Sequence, residues 1–101
     1  MIPESIKQSL MKNWSEKAEA MDCFIEIKFT DEDQKWNYYI YALNPYDEDE
    51  AMMIVDTIYE VDKPFTITAH LSDLLLNDLE VDIDFRKMKA STLFKKLKGD
   101  N

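Results

Sequence analysis

The sequence predicts an α+β fold: an antiparallel sheet of four to five strands with an N-terminal helix, a short helix and a C-terminal helix packed on one face. Three observations support this class. The N-terminal segment carries apolar residues at helical spacing, the middle alternates apolar with polar residues, and the links are short. We expect the 101 residues to form a single domain, 1–101.

Three segments have the features of helices. They are predicted at 3–20, at 73–77 and in a final lysine-rich segment that ends near Lys98. Pro3 suits a first helical turn, and apolar residues recur after it at intervals of three and four. Ser72 is expected to cap the second helix, and either Ser91 or Thr92 the third.

Strands are predicted where apolar and polar residues alternate or where β-branched and aromatic residues cluster. The segments are 23–30, 35–43, 51–59, 65–69 and 79–85. The first two are expected to pair as an antiparallel hairpin, and the last suits a sheet edge. Residues 44–49 are predicted to be a solvated loop, because asparagine and proline interrupt the strand and the last three residues, Asp47, Glu48 and Asp49, are acidic.

Composition argues against several kinds of catalytic site. The single cysteine, Cys23, lies in an apolar stretch, which indicates a buried thiol. The single histidine, His70, is expected to have no second ligand or base to pair with. The only glycine, Gly99, is near the end, so no phosphate-binding loop or nucleophile elbow can be built. We therefore expect a protein that is not an enzyme and has no cofactor.

A metal site is also not predicted. Asp31-x-Asp33 and Asp47-x-Asp49 resemble the opening of a calcium loop, but neither continues with the required glycine and glutamate. The chain has no signal-peptide pattern and no apolar run long enough to cross a membrane. We expect a cytoplasmic protein with no membrane partner, in the host cell cytoplasm if a phage encodes it.

Charge is distributed unevenly around a net value of −9. Residues 18–84 hold 18 acidic residues and three lysines, a net charge of −15, whereas 86–98 hold six basic residues and no acid. The negatively charged segment 18–84 repels nucleic-acid phosphates, so direct binding to nucleic acid is not expected. It attracts basic surfaces, and the partner we expect is a basic protein, either a nucleic-acid-binding protein or a nuclease.

The candidate partner-binding residues are the acids of two turns, one tyrosine and two acids of the last predicted strand. They are Asp31, Glu32, Asp33, Tyr46, Asp47, Glu48, Asp49, Glu50, Asp82 and Asp84. On a strand, the series 78, 80, 82 and 84 would project from one face about 6.6–6.8 Å apart, a spacing similar to that of DNA phosphates. The alternative is a solvated face that also protects a sheet edge from aggregation.

Aromatic residues on the second predicted strand form a further candidate surface. Trp36 and Tyr38 share one face, and Tyr39 and Tyr41 share the other. One pair is expected in the core. The other pair either contacts a partner or covers an ordinary sheet face, since tyrosine and tryptophan are frequent in both settings.

Short motifs also resemble a family of small bacterial, plasmid and phage proteins that has no assigned activity. They are Trp36 in an aromatic strand, Leu43-Asn44-Pro45-Tyr46-Asp47, Leu71-Ser72-Asp73-Leu74 and Val81-Asp82-Ile83-Asp84-Phe85. In size and charge the chain resembles the small acidic inhibitors of phages and mobile elements, including anti-CRISPR proteins and DNA mimics. That resemblance implies occlusion of a basic groove on a host defence nuclease.

The leading hypothesis is therefore a non-enzymatic interaction protein whose acidic surface binds and inhibits a basic, nucleic-acid-binding partner. The alternatives are a structural or assembly protein that forms a homodimer through a strand edge or the aromatic face, and a small host regulatory protein. An enzyme acting through its carboxylates ranks last, because no nucleophile, base and orienting group are arranged together.

Overall fold

The computed structural model describes residues 2–15, 18, 21–59, 64–75, 79–82 and 84–99. The helices are α1 (Glu4–Asn13), α2 (Leu71–Leu75) and α3 (Ala90–Leu97). The strands are β1 (Phe24–Ile25), β2 (Ile27–Thr30), β3 (Trp36–Asn44), β4 (Asp47–Thr57), β5 (Phe65–His70), β6 (Glu80–Val81) and β7 (Met88–Lys89). The predicted α+β class, with a helix near each end of the chain, is confirmed.

Five strands form one antiparallel sheet in the order β5-β4-β3-β2-β6. Strands β2 to β5 lie beside their neighbours in sequence, and β6 returns to the edge next to β2. Phe29 is paired with Tyr38 across β2 and β3, and Tyr39 with Ile54 across β3 and β4. Strands β1 and β7 form a separate two-stranded sheet. The antiparallel hairpin predicted for segments 23–30 and 35–43 is confirmed by the pairing of β2 with β3.

Both faces of the sheet are buried. Successive strand residues point to opposite faces. Met53 and Val55 belong to one buried cluster with Leu10 of α1, whereas Ile54 belongs to a second cluster with Leu93 of α3. Helix α2 packs in the first cluster. The prediction that all helices lie on one face is corrected, because α1 and α2 cover one face and α3 covers the other.

Helix α1 is shorter than the predicted segment 3–20. It ends at Asn13, and Trp14 has a ψ of 88°, outside the helical range. Leu10 is buried in the first cluster, while Trp14 packs against the second. The chain therefore crosses from one face of the sheet to the other between these two residues. The Asn13 side-chain amide donates a hydrogen bond to the Tyr41 carbonyl at 2.9 Å and fixes this point. Residues 16, 17, 19 and 20 lie outside the described part of the chain.

The predicted strand 23–30 is divided at Glu26 between two sheets. Its alternation is still present, since the residues at odd positions are buried: Cys23, Ile25, Ile27 and Phe29. Burial raises the pKa of the Cys23 thiol, and the nearby Asp22 carboxylate raises it further. The prediction of a buried thiol is thereby confirmed.

Helix α3 begins at Ala90, and the predicted caps at Ser91 and Thr92 are wrong. Backbone carbonyls accept the first N–H groups instead, with Ala90 donating to Cys23 at 2.8 Å and Ser91 donating to Met21 at 3.2 Å. None of the helices in the described ranges is long and apolar enough to cross a membrane.

Candidate functional site

The turn between β2 and β3 (Asp31–Lys35), here called the first acidic turn, is closed by one of its own carboxylates. Asp31 Oδ1 accepts hydrogen bonds from the backbone N–H groups of Lys35 at 2.7 Å and Trp36 at 3.1 Å. Glu32 and Asp33 are exposed, and the Asp33 carboxylate lies 3.9 Å from the Lys35 ammonium. Only Glu32 and Asp33 therefore project freely enough to meet a partner.

The turn between β3 and β4 is tighter than predicted. The expected loop 44–49 contains only two turn residues, Pro45 and Tyr46, and β4 begins at Asp47. The Asn44 side-chain oxygen accepts a hydrogen bond from the Tyr46 N–H at 2.9 Å, which allows this short turn. The Tyr46 side chain is 97% exposed. We call Tyr46, Asp47 and Glu48 the hairpin tip, because all three are exposed at this end of the sheet.

The remaining acids of this segment are bound within the protein. Asp49 accepts two hydrogen bonds from Ser72 in α2, from the backbone N–H at 2.9 Å and from the hydroxyl at 2.7 Å. Glu50 accepts a hydrogen bond from the Asn44 side-chain amide at 3.1 Å. The predicted cap of the short helix at Ser72 is therefore corrected, since Asp49 of the neighbouring strand supplies the acceptor. The helix also starts earlier than expected, at Leu71.

The acids of the last predicted strand do not form a stripe. Strand β6 ends at Val81, and the Asp82 N–H donates to the Lys28 carbonyl at 2.9 Å while the Asp84 N–H donates to Asp82 Oδ1 at 2.9 Å. The predicted strand 79–85 is thus corrected to Glu80–Val81, followed by a turn. Residues 78 and 83 lie outside the described part of the chain.

Asp82 is half-buried and lies 3.2 Å from the Lys28 ammonium. The Asp84 N–H lowers the pKa of the Asp82 carboxyl, and Lys28 lowers it further, against the opposing effect of partial burial. Asp82 therefore links β2 to the segment after β6 and is not available as a phosphate-like group. Asp84 is exposed.

The ten predicted residues do not form one surface. The first acidic turn and the hairpin tip lie at opposite ends of β3, a strand of nine residues, which separates them by about 27 Å. A partner that contacts one acidic group does not contact the other unless its interface spans the whole sheet.

The aromatic residues divide as expected between the two faces. Tyr39 and Tyr41 are buried, with 7% and 4% of their surface exposed. Trp36 and Tyr38 are half-buried, and their rings stack at 6.3 Å between centroids. Trp36 also lies 6.0 Å from the ring of Tyr59, which is 58% exposed. The half-buried pair is therefore the one that remains accessible.

A cleft of about 330 Å³ opens beside these rings and is lined by Asp31, Trp36, Tyr38 and Leu79. Ile58, which precedes Tyr59 in the chain, is 62% exposed. The exposure of Ile58 was not predicted, because the predicted strand 51–59 included it. The structure ends β4 at Thr57, and the turn that follows exposes the side chains of Ile58 and Tyr59.

His70 is the other residue whose surroundings were missed. Its Nε2 lies 3.8 Å from Asp47 Oδ2, so the only histidine does have a carboxylate partner. Glu50 is directly opposite His70 across β4 and β5. The expectation that His70 lacks a neighbouring ligand group is corrected, and the pairing depends on strand register that a sequence of alternating residues does not reveal.

Comparison of the chain with protein-family models, with curated proteins and with solved structures found no match.

Proposed function

We propose that this protein is a non-enzymatic interaction protein whose hairpin tip docks on the basic, nucleic-acid-binding surface of a partner protein and inhibits it. The observation that carries the proposal is the 97% exposure of Tyr46 at the end of a two-residue turn, followed by two exposed carboxylates. Tyrosine combines a large contact area with a polar group, and it is common among the residues that dominate binding energy.

Charge supports the choice of a basic partner. The chain carries a net charge of −9, and a field of this sign accelerates encounter with basic surfaces and opposes encounter with nucleic acid. Within the hairpin tip, Glu48 has one cationic neighbour, the Lys7 ammonium at 3.5 Å, in an exposed pair. Such a pair is worth little in water, so Glu48 can exchange Lys7 for a cation of the partner at small cost.

The backbone of the hairpin supports a rigid docking element. Asn44 holds the turn, while Asp49 and Glu50 are fixed to Ser72 and Asn44. Because few side chains need to be ordered on binding, less conformational entropy is lost. The contact set we propose is therefore narrower than the predicted one and consists of Tyr46, Asp47 and Glu48.

The test compares two triple variants. Tyr46→Ser/Asp47→Asn/Glu48→Gln alters the hairpin tip, and Tyr59→Ser/Glu32→Gln/Asp33→Asn makes the same changes at the opposite end of the sheet. The partner is isolated on the wild-type protein from the cells that produce it and then purified. Its binding to nucleic acid is measured with the wild type and with each variant as competitor.

We expect the wild type to displace nucleic acid from the partner, and this competition to weaken as salt is raised. The hairpin variant should compete at least about tenfold less well, as expected for loss of a dominant contact, while the control variant should behave like the wild type. A partner that binds both variants equally, or one that has no nucleic-acid-binding activity, would refute the proposal.

A second candidate function, assembly as a homodimer, is favoured by the edge of β5. Among the described strands, β5 pairs only with β4, and its segment Phe65–Ala69 has no charged residue. An uncharged edge strand offers its backbone groups to another chain. Sedimentation velocity tests this candidate: a concentration-dependent dimer that Thr68→Pro abolishes supports it, and a monomer at high concentration contradicts it.

A further inference from the structure

Three potential metal ligands meet where β4 begins and β5 ends. Asp47, Glu50 and His70 each offer one ligand atom, and these atoms all lie within 4.8 Å of one another. We call this group the His70 cluster. Asp47 and His70 are exposed and Glu50 is half-buried, so the cluster is open to solvent and to ions.

An irregularity in the sheet brings the two carboxylates together. In a regular strand, residues three apart point to opposite faces, so Asp47 and Glu50 would be separated. Here the pairing with β3 changes from Leu43 opposite Ala51 to Asn44 opposite Asp47, which leaves residues 48–50 as an insertion. Bulges of this kind redirect side chains and are common beside functional sites. Glu50 remains paired with His70 on the other side.

Both carboxylates are oriented by neighbouring groups. The Asn44 amide donates to Glu50 Oε1 at 3.1 Å, and the Asp49 N–H donates to Asp47 Oδ1 at 3.1 Å. The other Asp47 oxygen, Oδ2, is the one that lies 3.8 Å from His70 Nε2. Hydrogen bonds of this type hold the ligands of metal sites in position and influence their affinity.

The ligand set determines which cation would fit. One imidazole and two carboxylates suit a divalent d-block cation, whereas calcium and magnesium prefer oxygen ligands alone. Around Zn²⁺ at bond lengths of about 2.0–2.1 Å, tetrahedral ligand atoms lie about 3.4 Å apart. Asp47 and His70 are exposed, so rotation of these two side chains can bring their ligand atoms closer to the half-buried Glu50. We propose that Asp47, Glu50 and His70 bind one divalent d-block cation such as Zn²⁺, with water completing its coordination.

This proposal does not depend on partner docking, and it is tested on the isolated full-length chain. Zn²⁺ is titrated by calorimetry at about pH 8, because metal ligands must be deprotonated. The imidazole signals of His70 are followed by NMR, where the only histidine needs no assignment. The ligand variants are His70→Gln, Asp47→Asn and Glu50→Gln. Glu32→Gln is the charge-matched control, and Cys23→Ala removes the only thiol.

We expect one Zn²⁺ per chain, a shift of the His70 signals with Zn²⁺ but not with Mg²⁺, and unchanged affinity in the control and in Cys23→Ala. Each ligand variant should bind at least about tenfold more weakly, as expected from the sensitivity of metal sites to their surroundings. Equal weakening by Glu32→Gln, or Zn²⁺ affinity unchanged in His70→Gln, would show only general attraction to an acidic surface and would overturn the proposal. Because the hairpin variant also carries Asp47→Asn, partner inhibition is compared in His70→Gln, which removes a ligand of the His70 cluster and leaves Tyr46, Asp47 and Glu48 in place.

Discussion

A turn lies at each end of β3. The first turn contains three acidic residues and the second is followed by acidic residues, but different groups close the two turns. At the first acidic turn, the Asp31 carboxylate accepts two backbone N–H groups. At the other end, the neutral side chain of Asn44 accepts the Tyr46 N–H. The first turn therefore uses an acid to maintain its own shape, while the second closes without one and leaves Asp47 and Glu48 exposed.

A high density of acidic residues does not identify the carboxylates that are available to a partner. Of the acids predicted to bind, Asp31, Asp47, Asp49 and Asp82 accept backbone N–H bonds. Those of Asp31 and Asp49 hold the turn before β3 and the start of α2. Removal of a structural acceptor destabilises the fold, whereas removal of an exposed acid changes only the charge. Stability measurements on matched pairs of acids can therefore separate the two kinds.

The largest effect is expected at Asp31. A buried or half-buried donor that loses a charged acceptor costs about 1.5–3 kcal/mol, so we expect Asp31→Ala to lower the free energy of unfolding by about 2 kcal/mol. Asp31→Asn keeps one acceptor oxygen and should lose less. Urea unfolding followed by tryptophan fluorescence measures both. The control is Glu32→Ala, an exposed neighbour, which should change stability by less than about 0.5 kcal/mol. Equal stability of Asp31→Ala and Glu32→Ala would contradict this role.

A smaller effect is expected at Asp49, which accepts hydrogen bonds from Ser72 at the start of α2. Loss of a helix-capping acceptor costs about 1 kcal/mol, and Asp49→Ala should destabilise the protein by that amount. Glu48→Ala is the matched control on the same strand, because its pair with Lys7 is exposed and is worth less than about 0.5 kcal/mol. If both variants unfold at the same urea concentration, the hydrogen bonds from Ser72 to Asp49 do not contribute measurably to stability.

Local patterns predicted much of the fold. Clustered β-branched and aromatic residues located β3 and β5 within a residue, and alternation predicted which side of 23–29 is buried. The same period of two placed Tyr39 and Tyr41 on the face opposite Trp36 and Tyr38. These features depend on neighbours in sequence, so a single sequence contains the information.

The features that were missed depend on contacts distant in sequence. The cap of α2 comes from a residue 23 positions earlier. The His70 cluster needs both the β4–β5 register and an irregularity in β4. The acidic series 78–84 has ideal strand alternation, yet β6 ends at Val81. Asp82 still donates to the Lys28 carbonyl in register with β2, but the Asp84 and Phe85 N–H groups then donate back to Asp82 in a turn. Periodicity does not reveal which charged residue will find an internal partner.

The smallest effect is expected at Asp82 and depends on pH. Its pKa is lowered in the folded protein by the Asp84 N–H and by Lys28, so the ionised carboxylate stabilises the fold. This contribution is complete above the unfolded pKa of about 4 and is lost as pH falls through the lower folded value. Asp82→Asn should therefore cost about 0.5 kcal/mol at neutral pH, and the difference from wild type should shrink below about pH 4. Chemical unfolding at several pH values measures it, and in a Lys28→Met background the cost should be smaller because one stabilising cation is gone. A cost that stays constant down to about pH 2 would mean that Asp82 acts through shape and not through its charge.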